Sequence, residues 1–329
     1  MRLTFLGTSA GAPTRQRNVT CQALSFDDGA VWLLDCGEAS QHQLMKAGIR
    51  PKQVERILIT HLHGDHVYGI FGMLACLAIH GREAAVQVAG PRGVREMVST
   101  VLRLSDFTPG FPLEFIELDR PEQGGIALPA WPSGAAHPWT VTAHYLVHRL
   151  ACVGYCLHEP PRPGRFHPAR ARAAGAPEGP LWGQLQRGVA VSLADGRRIE
   201  AAEVCDPLRR GRKLLLLGDT SDADEMIAIG QDCDLAVREV TYDDSRRDNA
   251  LAWQHSTASM TGTWAQRLRA KTLVMTHLSA RYTDEDADPV RTIASLHAEV
   301  AAACPGTRVI VADDLLTVEI PASDEPLTT

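Results

Sequence analysis

The run Thr60-His61-Leu62-His63-Gly64-Asp65-His66 constrains this chain more than any other feature. It sets three imidazoles and a carboxylate within six residues, directly after the apolar run Ile57-Leu58-Ile59. A strand that ends in such a loop cannot bury those side chains as ordinary core, because unpaired polar groups are costly to dehydrate. Neutral imidazoles beside a carboxylate suit a borderline-soft divalent ion, zinc ahead of calcium or magnesium. The cluster offers more donors than one tetrahedral ion takes. That implies two ions sharing a site, an arrangement typical of enzymes that cut phosphate esters.

The same pattern recurs later in the chain. Leu214–Leu217 and Gly218 lead to Asp219, and Leu273-Val274-Met275-Thr276 leads to His277, as Ile57–Thr60 leads to His61. Three buried-type strands each deliver a ligand-type residue at the C-terminal end, where α/β sheets commonly place their sites. A fourth donor is His148, closing the alternating run Val141–Val147. His144 competes with it, since period-two alternation puts both on one face. With His148, the candidates are His61, His63, Asp65, His66, His148, Asp219 and His277: seven donors, enough for two ions with one bridging carboxylate.

Charge distribution adds a second element. The chain is net −6, yet the stretch 162–198 holds seven arginines against Glu178 and Asp195. Two Pro/Gly-rich runs, Glu159–Gly164 and Gly175–Pro180, punctuate this stretch. It reads as an inserted arm over about 160–200, with a surface suited to anions. On either side, strands and helices alternate in two similar halves. The expectation is a single α/β domain spanning 1–329, a pseudo-symmetric sandwich of two sheets with helices outside. The eight cysteines are scattered, with no C-x-x-C pair. The opening Met1–Gly7 reads as a strand and not a signal peptide, and no run is long enough to span a membrane. These features suggest reduced thiols in a cytoplasmic protein.

The motifs together resemble a known family. H-x-H-x-D-H at 61–66, His148 followed by Gly154-Tyr155, Gly218-Asp219-Thr220 and Thr276-His277 are similar to the metallo-β-lactamase fold, a four-layer αββα sandwich. More narrowly, the chain resembles the ribonuclease Z family of tRNA 3′-processing endonucleases. Phe5-Leu6-Gly7-Thr8-Ser9 matches its opening strand and loop. Pro13–Asn18 matches a P-x-K-x-R-N loop, with Arg15 where lysine is usual. Gly179-Pro180 and Leu185–Gly188 match its arm, and His255-Ser256-Thr257 and His277–Tyr282 complete the set. One departure stands out: Arg238 replaces the histidine of a His-Glu-Ala-Thr stretch.

This resemblance decides for His148 over His144, and it implies a division of roles. His61, His63, His148 and Asp219 would hold one zinc, and Asp65, His66, Asp219 and His277 the other, two per subunit; manganese or magnesium could also support activity. Asp65 would take a proton from the attacking water, and His255, positioned by Glu239, would protonate the leaving 3′-oxygen. Arg15, Arg17, Asn18, Gly179, Pro180, Arg187 and Arg281 would bind substrate. The implied partner is precursor tRNA, cut after the discriminator base by a homodimer with no membrane association. The rival readings are a general binuclear zinc phosphodiesterase and an exonuclease that trims the trailer.

Overall fold

A computed structural model describes residues 1–120, 124–131, 139–283 and 292–327. The chain divides into two compact units, 1–157 with 213–320, and 158–212 with 321–329. The strands are β1 (Arg2–Gly7), β2 (Cys21–Ser25), β3 (Val31–Leu34), β4 (Val54–Leu58), β5 (Val86–Pro91), β6 (Leu113–Leu118), β7 (Ile126–Ala127), β8 (Thr140–Leu146) and β9 (Cys152–His158). The short β10 (Val191–Ser192) and β11 (Arg198–Ile199) follow. Then come β12 (Lys213–Leu217), β13 (Leu235–Glu239), β14 (Thr272–Thr276), β15 (Arg308–Val311) and β16 (Thr317–Glu319).

Two seven-stranded sheets build the larger unit, in the orders β16-β1-β2-β3-β4-β5-β6 and β15-β14-β13-β12-β9-β8-β7. Side-chain alternation explains the layering. In β12, Leu214 and Leu216 join the core between the sheets, while Leu215 and Leu217 pack under helices. Val274 of β14 faces inward, with Leu273 and Met275 on the helix side. The other sheet mirrors this: Leu58 points to the central core, and Ile57 and Ile59 to the helices Ile70–Ile79 and Val94–Leu104. Strands apolar on both faces need cover on both faces. Four layers follow, helices outside two face-to-face sheets, as the sequence suggested.

Local chemistry sets the boundaries. Asp27-Asp28-Gly29 turns β2 into its antiparallel partner β3, with Gly29 at φ 92°. β4 closes at Leu58, two residues before the expected end, although the Ile59 N–H still donates to the Ala89 carbonyl (2.7 Å). Sequence periodicity gave no sign of β6, whose Leu-Glu-Phe-Ile-Glu-Leu run does not alternate cleanly.

The smaller unit has its own core of Ala171, Leu185, Val191, Ile199, Val204 and Cys205, with Phe166 and Trp182 packed beside it. It extends beyond the expected 160–200, because Pro/Gly punctuation marks only the turns inside it. Its neck is closed by reciprocal backbone bonds between Arg162 and Arg209 (2.9 and 2.8 Å). Arg212 grips Glu159 with a two-pronged fork, Nε to Oε2 at 2.8 Å and Nη2 to Oε1 at 2.7 Å. Burial works against the Glu159 charge, but the Arg212 bonds outweigh it and hold the carboxyl below its usual range.

Glu159→Ala would remove the carboxylate that the Arg212 guanidinium, 7% exposed, grips at the buried end of its fork. A loss of about 3 kcal/mol is expected, the scale for breaking a buried pair. A carboxyl more acidic folded than unfolded contributes fully above about pH 5 and loses its contribution as pH falls through the folded value. Amide exchange across 158–212, corrected for intrinsic rates, reads both effects; wild-type protection in the variant would refute the assignment.

Candidate metal centre

The larger unit gathers its ligand-type residues at strand ends. His61 and His63 lie in the loop after β4, and Asp65 and His66 in the short helix Gly64–Val67. Asp219 follows β12, and His277 follows β14 with a left-handed φ of 54°. His148 lies just beyond β8. Gly218 admits no side chain: a Cβ there would sit 2.6 Å from both Cys152 Sγ and Thr60 Cβ. That close approach fixes where Asp219 emerges.

Three overlapping donor groups result, one of them Asp219, His255 and His277, and two carry most of the ligands. In His61, His63, His148 and Asp219, one ligand atom from each lies within 4.8 Å of the others, and the same holds for Asp65, His66 and His277. Asp219 Oδ2 stands between them, 3.7 Å from His61 Nε2, 3.4 Å from His66 Nε2 and 3.3 Å from His277 Nε2. His63 Nδ1 lies 2.9 Å from His61 Nε2 and 3.2 Å from His148 Nε2, and the Nε2 atoms of His66 and His277 are 3.3 Å apart. A tetrahedral ion with bonds of about 2.0–2.1 Å has ligand–ligand edges of roughly 3.3–3.4 Å. The observed spacings fit that geometry, and nitrogen lone pairs aimed at one another are relieved by a cation between them.

A supporting shell orients the rings. His66 Nδ1 lies 2.8 Å from Asp35 Oδ2, His148 Nδ1 is 3.0 Å from the Gln254 carbonyl, and His277 Nδ1 is 3.1 Å from Thr241 Oγ1. A partner on Nδ1 fixes the tautomer that presents Nε2. Asp35 also accepts from the Thr60 N–H (2.7 Å) and hydroxyl (2.9 Å), so one buried carboxylate secures the whole histidine loop.

Electrostatics separates the groups. Burial pushes His61 well below its ordinary pKa. Burial works the same way on His66, but Asp219, Asp35 and Asp65 outweigh it and hold that imidazole well above. Burial opposes the charge of Asp65, yet His66 and His277 keep the carboxyl below its usual range. The Gly11 N–H also donates to Asp65 Oδ2 (2.8 Å).

His255 joins this centre through Glu239, whose two oxygens both lie 3.0 Å from His255 Nδ1. Burial disfavours its charge, but Glu239 outweighs that and raises it to about 9. Arg238 is fully buried, stacked 5.0 Å over Trp264, and donates to Ser256 Oγ (2.8 Å). The residue that departs from the family pattern thus supports the backbone beside His255.

The remaining candidates are dispersed. Arg281 lines the 630 Å³ cleft that also holds His63, Asp65, Asp219, His255 and His277. Arg15 is exposed on a neighbouring 430 Å³ cavity with His42 and Lys46. Arg17 turns inward to Thr8 Oγ1 (2.8 Å), the Ala312 carbonyl (2.7 Å) and Asp313 (2.5 Å), and Asn18 Nδ2 donates to the Glu38 carbonyl. Gly179, Pro180 and Arg187 lie in the smaller unit, where Pro180 opens a helix to Gln186 and Arg187 follows it. Sequence reasoning missed Asp35, Thr241 and the Gln254 carbonyl. Only Asp35 carried a signal: it ends an apolar strand, as Asp219 does.

A ribonuclease Z from Thermosynechococcus vestitus is 38% identical over 335 residues, covering 99% of this chain and 79% of the relative. The chain belongs to the ribonuclease Z family. The short form of human tRNase Z is similar throughout, with 26% identity, a TM-score of 0.68, and 98% of this chain and 100% of that one covered. The metallo-β-lactamase fold protein YhfI from Bacillus subtilis, 15% identical, shares the architecture at a TM-score of 0.65, covering 96% and 98%. Residues 1–92 also match the family model described as Anti-Pycsar protein Apyc1. The ribonuclease Z family member described here therefore carries its donor cluster on a metallo-β-lactamase fold.

Asp35→Ala should weaken divalent-metal affinity about 10- to 100-fold, the usual scale for losing an outer-sphere partner. Competition with a zinc-sensitive dye measures this directly, and unchanged affinity would remove Asp35 from its supporting role.

Proposed function

We propose that this protein is a binuclear zinc endoribonuclease that removes the 3′ trailer of precursor tRNA. The cut falls after the discriminator base and leaves a tRNA 3′-hydroxyl and a trailer 5′-phosphate. The observation that carries this reading is the pair of donor sets with Asp219 in one and its Oδ2 3.3–3.4 Å from His277 and His66 of the other, and the His255–Glu239 pair opening onto the same cleft. His61, His63, His148 and Asp219 would hold one ion, and Asp65, His66, Asp219 and His277 the other.

Two zinc ions bound there would supply a water of lowered pKa and positive charge for the phosphorane oxygens. The chain's own groups do the rest. Asp65, kept ionised by His66 and His277, accepts the proton of the attacking water. His255, held through Nδ1 by Glu239, turns Nε2 toward the cleft and gives a proton to the leaving 3′-oxygen. Arg281 reaches the cleft wall to meet a phosphate, and the exposed Arg15 offers a second cation. Arg17 and Asn18 shape their loop around the RNA and leave direct contact to Arg15.

The smaller unit is the tRNA-binding arm in this reading. A folded RNA is recognised by shape and phosphates more than by sequence, and Gly179, Pro180 and Arg187, exposed at the two ends of the helix Pro180–Gln186, suit that. A homodimer fits the helix Ile70–Ile79, which has no charged or strongly polar side chain yet leaves Ile79 80% exposed. A cytoplasmic setting fits the eight free cysteines.

The decisive experiment maps the products of a 3′-extended precursor with and without chelator. A single metal-dependent cut after the discriminator, releasing an intact trailer, is expected. A ladder of shortened trailers would replace the endonuclease with an exonuclease, and hydrolysis of a small diester alone would leave only a general phosphodiesterase. Asp65→Ala should lower cleavage by at least a thousand-fold while tRNA still binds; full activity in that variant would overturn the assignment.

Joining Arg162 to Arg209 by a short Gly-Ser link, in place of 163–208, should abolish precursor processing and spare hydrolysis of bis(p-nitrophenyl) phosphate. Equal loss of both activities would argue against a dedicated RNA-binding arm.

A further inference from the structure

Four large apolar side chains stand exposed around the two loops that carry His148 and His255: Val147 and Leu150 on one, Leu251 and Trp253 on the other, with exposures between 42% and 51%. An indole so open to water is uncommon. The Arg149 guanidinium lies over its ring at 4.7 Å, so the platform comes with its own cation. The backbone that carries the ring is fixed. Trp253 ends the helix Arg247–Trp253, Gln254 adopts the left-handed conformation (φ 56°, ψ 47°), and the His255 N–H closes back on the Ala250 carbonyl (2.8 Å).

The two loops meet at the metal centre. Gln254, between Trp253 and His255, offers its carbonyl to His148 Nδ1, and the His148 and His255 rings are 5.1 Å apart. Arg149 adjoins the first ring in sequence and Trp253 stands two residues from the second. An aromatic face beside a guanidinium is how single-stranded nucleic acid is gripped: a base stacks on the ring and its phosphate meets the cation.

We propose that Trp253 and Arg149 form the base-binding subsite for the nucleotide whose 3′-oxygen leaves. This rests on the endonuclease reading, in which His255 protonates that oxygen, so its nucleotide lies on the His255 side. The Trp253 face opposite Arg149 takes the discriminator base by stacking, and Arg149, on the other face, takes the adjoining phosphate. Stacking tolerates every base, so the subsite positions the chain end without reading it.

The test uses metal-loaded full-length protein and the product tRNA, which ends in 2-aminopurine at the discriminator position. Binding should quench the 2-aminopurine fluorescence in the wild type and in Trp253→Phe, and Trp253→Ala should lose the quench. The ratio of the KM for precursor to the KM for bis(p-nitrophenyl) phosphate should rise roughly ten-fold in Trp253→Ala, with Trp253→Phe recovering most of it. A retained quench or an unmoved KM ratio overturns the subsite. So does an equal loss on both substrates with altered sedimentation, which would make Trp253 a protein–protein contact. A wild type that cuts precursor but shows no quench overturns the subsite alone, whereas one that neither binds nor cuts precursor sinks the endonuclease reading with it.

Discussion

Asp219 is 3% exposed and has four imidazoles, those of His61, His66, His255 and His277, within 3.9 Å. A carboxylate taken from water must recover its lost hydration from its neighbours. Imidazole nitrogens do so fully only when protonated or when a cation lies among them. The convergence therefore demands positive charge. The loops after β4, β8, β12 and β14 are fixed so that they supply donors around one small volume. The sandwich sets those four strand ends side by side, and the outer helices hold them there.

The part of this centre visible in sequence was the part with a spacing signature. The H-x-H-x-D-H run is dense enough to read alone, and Asp219 and His277 gain force because each ends an apolar strand. The supporting shell had no such signature. The carbonyl of Gln254 and the N–H of Gly11 are backbone groups, available at any residue, and only the fold chooses them. Thr241 is one threonine among many. The resemblance implied that Arg17 binds substrate, and its side chain is buried against Ala312 and Asp313, which lie almost three hundred residues away.

The arm shows the same limit for charge. Counting arginines suggests a strongly basic surface, but many are paired within the unit. Arg172 meets Glu178, Arg197 meets Asp195, Arg198 meets Glu200, and Arg209 and Arg210 meet Asp324 and Glu325 in the C-terminal segment. Exposed pairs of this kind are weak and exchange readily. A phosphate can replace a carboxylate partner without a large penalty. The smaller unit thus holds its cations in defined places through these carboxylates, which a bare basic loop would not do.

The relation between Asp219 and His255 rests on Thr220. Its N–H donates to Glu239 Oε1 (2.7 Å), the carboxylate that holds His255. Its carbonyl accepts from Ser256 Oγ (2.6 Å), which Arg238 in turn donates to. Glu239 and Arg238 are neighbours on β13, and alternation sends one toward the metal centre and the other toward the outer helices. One strand thus grips the His255 loop from both faces, and both grips close on the residue next to Asp219. Asp219 and the His255 imidazole that Glu239 holds cannot drift apart without breaking buried hydrogen bonds. A long arginine is accommodated at 238 because it stacks on Trp264 and reaches Ser256 from the helix side of the sheet.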